Sequence, residues 1–584
     1  MKKIINSPEL VVQEMCNGIV MAHPELELLL KYKVIKRRTT GDGKVRLISG
    51  GGSGHEPAHA GFVGAGMLDA AVCGDVFASP SQIQVYQAIK ATAGKQGCLL
   101  IIKNYSGDLM NFQNGAYLAR EDGIEVDYVK VDDDVAVQDS LYTVGRRGVA
   151  GTVFVHKLAG AAAESGKSLA EVKAVAEKAV ANVRSIGFAL TSCTVPAKGT
   201  PTFELGREEM EYGVGIHGEP GIRRESLVDA HEMAGRMVGT LCKELQLKTG
   251  NGSRVALLVN GFGATPLMEL YLMNNEVTAE LAKRGVTLVR TFVGNFMTSI
   301  DMSGASVSLL KLDAELEALL NVQCDTPALK INGPAEMIRY NNPFAGEKER
   351  EFSYAVETPA MYKKIGAVMT LDNLKYIVDV MCDSIIRNEV PFCELDAHAG
   401  DGDFGMSIAK GFKRLKQEWQ AIVEQPGLDI AGFLDACSMA IMEHCGGASG
   451  PIWGSAFRAA GKRLQGKREL RVADFADMLA AAVEGIQLTG ERSFGRGAVV
   501  GDKTLIDALA PCADTWKRSA DSGAAFADAF RAGAESAVAG AKHTEQIVAR
   551  MGRAGTVGER SLGYPDAGAH GLGVIFTDIA NSLG

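Results

Sequence analysis

No apolar run in this chain approaches the roughly eighteen residues of a membrane-spanning helix, so no span is expected. The start, Met1-Lys2-Lys3-Ile4-Ile5-Asn6-Ser7-Pro8, is basic but lacks the apolar core of a secretory signal. The eleven cysteines, scattered from Cys16 to Cys512, include no C-x-x-C pair and are odd in number. That usage speaks against a disulfide framework and leads to the expectation of a reducing, cytoplasmic compartment. An excess of basic residues is missing too. The formal net charge of −9 argues against the basic face that nucleic-acid binding requires, and any phosphate site must be built locally.

What is present begins with size. At 584 residues the chain is too long for one core, and two to four domains are expected. Glycine is abundant, at 68 residues, and clusters beside apolar runs, as in loops that approach a ligand closely. The first half alternates β-like and helical runs, with strands predicted at 45–49, 98–103, 124–131, 255–259 and 286–293. Such alternation implies an α/β fold with a largely parallel or mixed sheet and ligands beyond the carboxyl ends of its strands. A break at 185–205, with Pro196 and Pro201, separates two lobes. Turn signals at Asn332-Gly333-Pro334 and Asn341-Asn342-Pro343, with a charge run after them, mark a linker over 331–365. Beyond it the strand signals stop. Thr370 is a candidate N-cap for a helix with Leu374, Ile377, Val378, Met381 and Ile385 on one face. Similar spacing recurs at 427–445, 472–487, 505–518 and 523–541. The expected architecture is multi-domain: an α/β domain over 1–330, with lobes of about 1–190 and 191–330, the linker, and an all-α domain over 366–584.

Four constellations carry chemistry. Asp396, Asp401 and Asp403 fall within eight residues, and glycines let the backbone turn so that the carboxylates converge. Hard cations such as Mg²⁺ take oxygen ligands and share them with phosphates, so this cluster points to a magnesium–nucleotide site; a solvated acidic turn is the bland alternative. The loop Gly50-Gly51-Gly52-Ser53-Gly54-His55-Glu56-Pro57 follows a predicted strand and offers backbone N–H groups to ligand oxygens. It lacks the Gly-Lys-Ser/Thr ending of a Walker motif. Asp108, after the strand at 98–103, stands where a general base is wanted, although taken alone it reads more readily as a surface turn aspartate. His217 lies between closely spaced glycines, so its ring is expected to be unusually accessible for nucleophilic or base chemistry.

These motifs, with Lys103-Asn104-Tyr105-Ser106-Gly107-Asp108, Gly215-Ile216-His217-Gly218-Glu219, Gly447-Ala448-Ser449-Gly450-Pro451, Gly501-Asp502-Lys503-Thr504 and Gly558-Glu559-Arg560-Ser561, span nearly the whole chain. Together they closely resemble the ATP-dependent dihydroxyacetone kinases in which a K-type and an L-type domain are fused. The resemblance implies that His217 holds the substrate ketone as a covalent hemiaminal. It implies further that Gly52, Ser53, Gly54 and Lys103 bind substrate, that Asp108 accepts the proton of the attacking hydroxyl, and that His55 assists. In the L-type domain, an all-helical barrel, Asp396, Asp401 and Asp403 would hold two Mg²⁺ ions. Phe404, Gly405, Met406, Ser407, Ala448, Ser449, Gly497, Thr504, Leu505, Arg553, Asp566, Ala567 and Gly568 would surround ATP. A homodimer acting on a small keto-sugar, with no nucleic acid or membrane partner, is implied as well.

The chain departs from the family pattern at His398, inside the acidic cluster, at Ala567, where the family usually has proline, and in the segment after Arg553, which lacks an aromatic residue. Dihydroxyacetone is the leading substrate. Erythrulose, an FAD-cyclising side activity, a phosphoprotein-dependent enzyme and a non-catalytic regulator are the other readings.

Overall fold

In a computed structural model the chain is described at residues 2–41, 43–137, 145–219, 221–248, 250, 252–343, 358–552, 555 and 557–583. It divides into two compact units, Met1–Gly346 and Glu347–Gly584. Of the segment read as a linker, residues 344–357 lie outside the described residues.

The first unit is α/β and carries two six-stranded mixed sheets. The first comprises β1 (Leu26–Leu29), β2 (Val34–Arg37), β3 (Arg46–Ser53), β4 (Ala70–Val76), β5 (Cys98–Lys103) and β6 (Val126–Val131). Their order is β1-β2-β4-β3-β5-β6, and β4, β3, β5 and β6 run parallel. β5 is buried along its whole length, with Leu99 and Ile101 in one apolar cluster and Leu100 and Ile102 in another. A strand covered on both faces reads as a continuous apolar run, which is why it was legible. β4, Ala-Ala-Val-Cys-Gly-Asp-Val, has poor strand formers and no alternation, and its pairing with β2 and β3 makes it a strand.

The second sheet holds β7 (Val183–Ala189), β8 (Glu209–Tyr212), β9 (Arg223–Ser226), β10 (Arg254–Gly261), β11 (Thr287–Gly294) and β12 (Gly304–Leu312), in the order β11-β10-β12-β7-β8-β9. Only β10 and β11 are parallel. The segment read as a break at 185–205 thus begins inside β7, and the second sheet starts at Val183, upstream of residue 190. Asp133, beyond the end of β6, accepts hydrogen bonds from Ser185 of β7 and from the backbone of Val149 and Gly151, which ties the two sheets together.

The second unit is all-helical among its described residues. Thr370 caps helix Leu371–Arg387, accepting from the Asn373 N–H while Asn373 accepts from the Thr370 N–H. Leu374, Ile377, Val378 and Ile385 are buried on the predicted face. The later expected helices appear as Ile430–His444, Val472–Phe494, Ile506–Asp521 and Phe526–His543. Successive helices pack on one another and the last, Ala567–Leu583, packs back on Leu371–Arg387, closing a barrel. Phe475, Trp516 and Phe530 fill part of its core, with ring centroids 4.3–5.3 Å apart.

Candidate functional site

The first unit builds its site where β3 and β5 end. Gly52 passes so close to a neighbouring loop that a Cβ would lie 2.7 Å from the Ala78 nitrogen, and Gly54, at φ +100°, turns the chain into His55. The His55 side chain is fully buried. Its Nδ1 is 2.7 Å from the Thr298 carbonyl oxygen, which can only accept, so Nδ1 carries the proton and Nε2 is left as an acceptor. That Nε2 has no partner among the described residues. Lys103 ends β5 and is also fully buried, and its Nζ likewise lacks a hydrogen-bond partner among the described residues. Asp108 sits in the first turn of the next helix, Ser106–Glu121, and accepts from the Ser79 hydroxyl at 2.5 Å. Ser53 spends its hydroxyl proton on the Gly74 carbonyl, and the Gly54 N–H is taken by Glu56.

His217 enters from a loop between β8 and β9. Its ring is more enclosed than its glycine neighbours suggested: His55, Phe77 and Tyr105 surround it at centroid distances of 4.7, 5.3 and 4.5 Å. The glycines serve packing. A Cβ on Gly215 would lie 1.9 Å from Glu219, and one on Gly218 would lie 2.7 Å from Thr202. Burial pulls the His217 imidazole down to about 4, against Glu219 and with help from Lys103 and Arg147. It is neutral near pH 7, with a lone pair to donate. Burial pushes the Asp108 carboxyl up, opposed by Lys103 and the Ser79 hydrogen bond, and pulls the Lys103 ammonium down, opposed first by Asp108.

Two further imidazoles, His59 and His156, meet behind β3 with Nδ1 and Nε2 2.9 Å apart. Burial holds both down, as it does His55. Four imidazoles whose folded-state affinity for protons is depressed give acid lability. The unfolded chain takes up protons below about 6.5, whereas His217 and His156 wait until about 4 and about 3 in the fold. Stability from these groups is complete above pH 6.5 and is lost as pH falls towards 4. The thermal midpoint should fall steeply over that interval, and His156→Gln should flatten the slope.

In the second unit Asp396, Asp401 and Asp403 each place one carboxylate oxygen within 4.8 Å of the others. Asp396 ends helix Glu389–Asp396, and its Oδ2 accepts from the Gly402 N–H at 2.9 Å and the Phe404 N–H at 3.4 Å. The loop therefore wraps around this carboxylate, with Gly402 at φ +76° making the reversal. Burial raises the Asp396 carboxyl, and Asp401 and Asp403 raise it further against the two N–H donors. An oxygen-only donor set of like charges fits a hard divalent cation, which relieves that repulsion.

A cavity of ≈ 210 Å³ opens beside these carboxylates. Of the residues expected around a nucleotide, Phe404, Ser407, Ala448, Ser449, Thr504, Leu505, Asp566, Ala567 and Gly568 line it. Phe404, Ser449 and Ala567 are the first residues of three helices, and Leu505 is the N-cap of a fourth. Four helix N-termini thus converge on one space, which is an environment for anions. Ala567 takes the first helical position, where proline is equally at home because that N–H has no intrahelical partner. Gly405, Met406 and Gly497 are not among the lining residues, and Arg553 lies outside the described residues.

Gly405 has a packing role. A Cβ there would lie 2.0 Å from the Glu389 carbonyl oxygen and 2.8 Å from the Cys393 nitrogen. Gly405→Ala should cost about 1–3 kcal/mol by forcing two helices apart. Since Asp396 rides on the displaced helix, a lower thermal midpoint should come with a higher KM for Mg–ATP.

Sequence reasoning missed several members of the first unit's site. Ser79, Phe77, Thr298 and Arg147 carry no local motif and act only through long-range contact. Lys503 sits in a quoted motif, but its buried Nζ donates to the carbonyls of Thr544, Ser561 and Tyr564 at 2.5–2.8 Å, so it ties loops together. His398 is not in the carboxylate group; its ring stacks on Tyr564 at 3.8 Å.

The Dak1 domain model matches residues 17–328 and the DAK2 domain model residues 398–581. The dihydroxyacetone-binding subunit DhaK of the PTS-dependent dihydroxyacetone kinase 1 from Listeria innocua is 52% identical over 316 residues, which is 54% of this chain and 95% of that one. L-erythrulose 1-kinase of Mycolicibacterium smegmatis is 34% identical over 588 residues, covering 100% of both chains. The crystal structure of the dihydroxyacetone kinase from C. freundii in complex with AMP-PNP and Mg2+ aligns with 100% of this chain and 99% of its own, at 30% identity and a TM-score of 0.58. Matched on one unit by the Dak1 domain model, on the other by the DAK2 domain model, and from end to end by single-chain kinases, the chain belongs to the dihydroxyacetone kinase family.

Proposed function

We propose that this protein phosphorylates a terminal hydroxyl of dihydroxyacetone with ATP, holding the ketone on His217. The observation that carries the reading is a neutral imidazole ringed by His55, Phe77 and Tyr105, near two buried polar atoms, His55 Nε2 and Lys103 Nζ, that have no hydrogen-bond partner among the described residues. A ring nitrogen of His217 adds to the carbonyl carbon, and the ring proton ends on the former carbonyl oxygen, giving a hemiaminal. A three-carbon ketone offers little surface for binding, and a reversible covalent bond supplies the orientation that contacts cannot. Lys103 neutralises the oxygen that gains charge. His55 Nε2 accepts a hydrogen bond from a substrate hydroxyl. Asp108, with its affinity for protons raised by burial, takes the proton of the attacking hydroxyl. Glycerol, with no carbonyl, is excluded by the same chemistry.

The three aspartates would hold Mg²⁺, as two ions, beside the helix N-termini that receive the phosphates. When bound, Mg–ATP supplies the phosphoryl group and charge neutralisation as it transfers. The kinase from C. freundii crystallised with AMP-PNP and Mg2+ supports the use of ATP with Mg²⁺. A homodimer, carried over from the family, is tested by sedimentation.

A second reading moves the substrate and keeps the mechanism, since a relative aligned along the whole chain is an L-erythrulose 1-kinase. The deciding measurement is ADP release with Mg–ATP across dihydroxyacetone, glyceraldehyde, both erythrulose enantiomers and glycerol. The highest kcat/KM with dihydroxyacetone and none with glycerol is expected. Preference for an erythrulose replaces the substrate; silence with all of them, or tightly retained ADP, turns the reading towards a regulator or a phosphoprotein-dependent enzyme.

A further inference from the structure

The loop that carries His217 is held by one arginine. Arg147 is about 1% exposed at its side chain, and its partners Asp134 and Glu219 are 2% and 6% exposed. The guanidinium donates to Asp134 Oδ2 at 2.7 Å, to Glu219 Oε1 at 3.1 Å and to the Gly213 carbonyl at 2.8 Å. The other Glu219 oxygen accepts the backbone N–H of His217 at 2.5 Å. Asp134 in turn is anchored, with its N–H on the Arg147 carbonyl and its Oδ1 on the Ala136 N–H. The neighbouring Asp133 holds Ser185 of β7. A continuous polar path therefore runs from the joint between the two sheets, through Arg147 and Glu219, to the backbone of His217. Space for it exists because residue 215 has no side chain. Arg147 is suited to this: a planar fork serves two carboxylates and a carbonyl at once, which a lysine ammonium on a flexible stem does not.

We propose that Arg147 is a positioning residue which, through Glu219, sets His217 at the height from which it meets a bound carbonyl. The inference rests on the reading that His217 captures the ketone. It assigns to Arg147, Asp134 and Glu219 no contact with substrate. Loss of the clamp weakens capture and leaves transfer from a captured substrate intact, so the effect falls on the dihydroxyacetone KM more than on kcat.

The test uses the full chain with Glu219→Gln and with Arg147→Lys. A glutamine has the shape of glutamate but only one accepting oxygen, so it cannot serve both Arg147 and the His217 N–H. The lysine keeps the charge and loses the fork. Three readouts are taken: deuterium uptake by the 213–219 segment, KM and kcat for dihydroxyacetone, and KM for Mg–ATP. The expected result in both variants is at least tenfold faster uptake confined to that segment. With it should come a KM for dihydroxyacetone raised at least tenfold, kcat within about threefold of the parent and an unchanged KM for Mg–ATP. Uptake and KM within twofold of the parent in both variants overturn the proposal, as does acceleration spread over the whole first unit. A parent protein that shows no adduct by intact mass overturns the carbonyl-capture reading instead. In that case uptake alone decides: local acceleration upholds the clamp, and its absence removes it.

Discussion

His217→Ala is expected to lower kcat/KM for dihydroxyacetone by at least ~10³-fold, about 4 kcal/mol, and to erase the adduct from the intact-mass spectrum. What remains in the variant is a pocket of contacts for a six-heavy-atom molecule. Even ideal contacts to so small a ligand are bounded at about 1.5 kcal/mol per heavy atom, and ordinary polar ones fall far below that. Without the bond the terminal hydroxyl is no longer held against Asp108, and the advantage of a fixed geometry is lost. The flanking rings of His55, Phe77 and Tyr105 border a vacated ring rather than a lost backbone support, so the unit should keep its thermal midpoint within a few degrees. Turnover within tenfold of the parent would remove the nucleophilic role, and an adduct that persisted would place the bond elsewhere.

Asp401→Asn should act on the other substrate. Its expected effect is a fall of at least ~10²-fold in kcat/KM for Mg–ATP, about 2.7 kcal/mol, with the ketone adduct undiminished. Asp401 is the cleaner choice among the three carboxylates. Asp396 also accepts two backbone N–H groups, so its loss would loosen the loop as well as the cation. Asp401 is the exposed member of the group, and the amide keeps its shape while removing the charge. Raising free Mg²⁺ should recover part of the activity, because the lesion is in cation affinity. Kinetics titrated in both ATP and Mg²⁺ decide the matter: a normal Mg–ATP response would show that Asp401 holds no ion, and a lost adduct would show damage beyond the second unit.

How much was legible depended on whether the signal was local. β5 announced itself as a run of five apolar residues ending in Lys103, and helix Leu371–Arg387 through its Thr370 cap and apolar stripe. β4 did not, because Ala, Gly and Asp have little strand preference and the sheet alone enforces their conformation. The carboxylate cluster was readable because its members fall within eight residues and glycine marks the turn. Ser79 beside Asp108, Thr298 beside His55 and Arg147 behind His217 were not, for each acts across 29 or more positions and belongs to no motif. Glycine misled in one direction. Around His217 it suggested open approach to a ligand, whereas the missing side chain at Gly215 makes room for Glu219.

The amino-acid sequence by itself determined the classes of structure and the inventory of reactive groups: an α/β part, a helical part, two histidines, a lysine and four aspartates in glycine-rich settings. Those follow from periodicity, propensity and motif, which are properties of neighbouring residues. The tertiary structure alone decided which groups meet and in what state. Packing buried the imidazoles and so kept them neutral, drew Asp108 and Lys103 towards their uncharged forms, and turned Lys503 to loop carbonyls. It also brought four helix N-termini to one cavity. Desolvation and charge–charge energies depend on everything packed within several ångströms, and that surrounding is assembled from segments far apart in the chain.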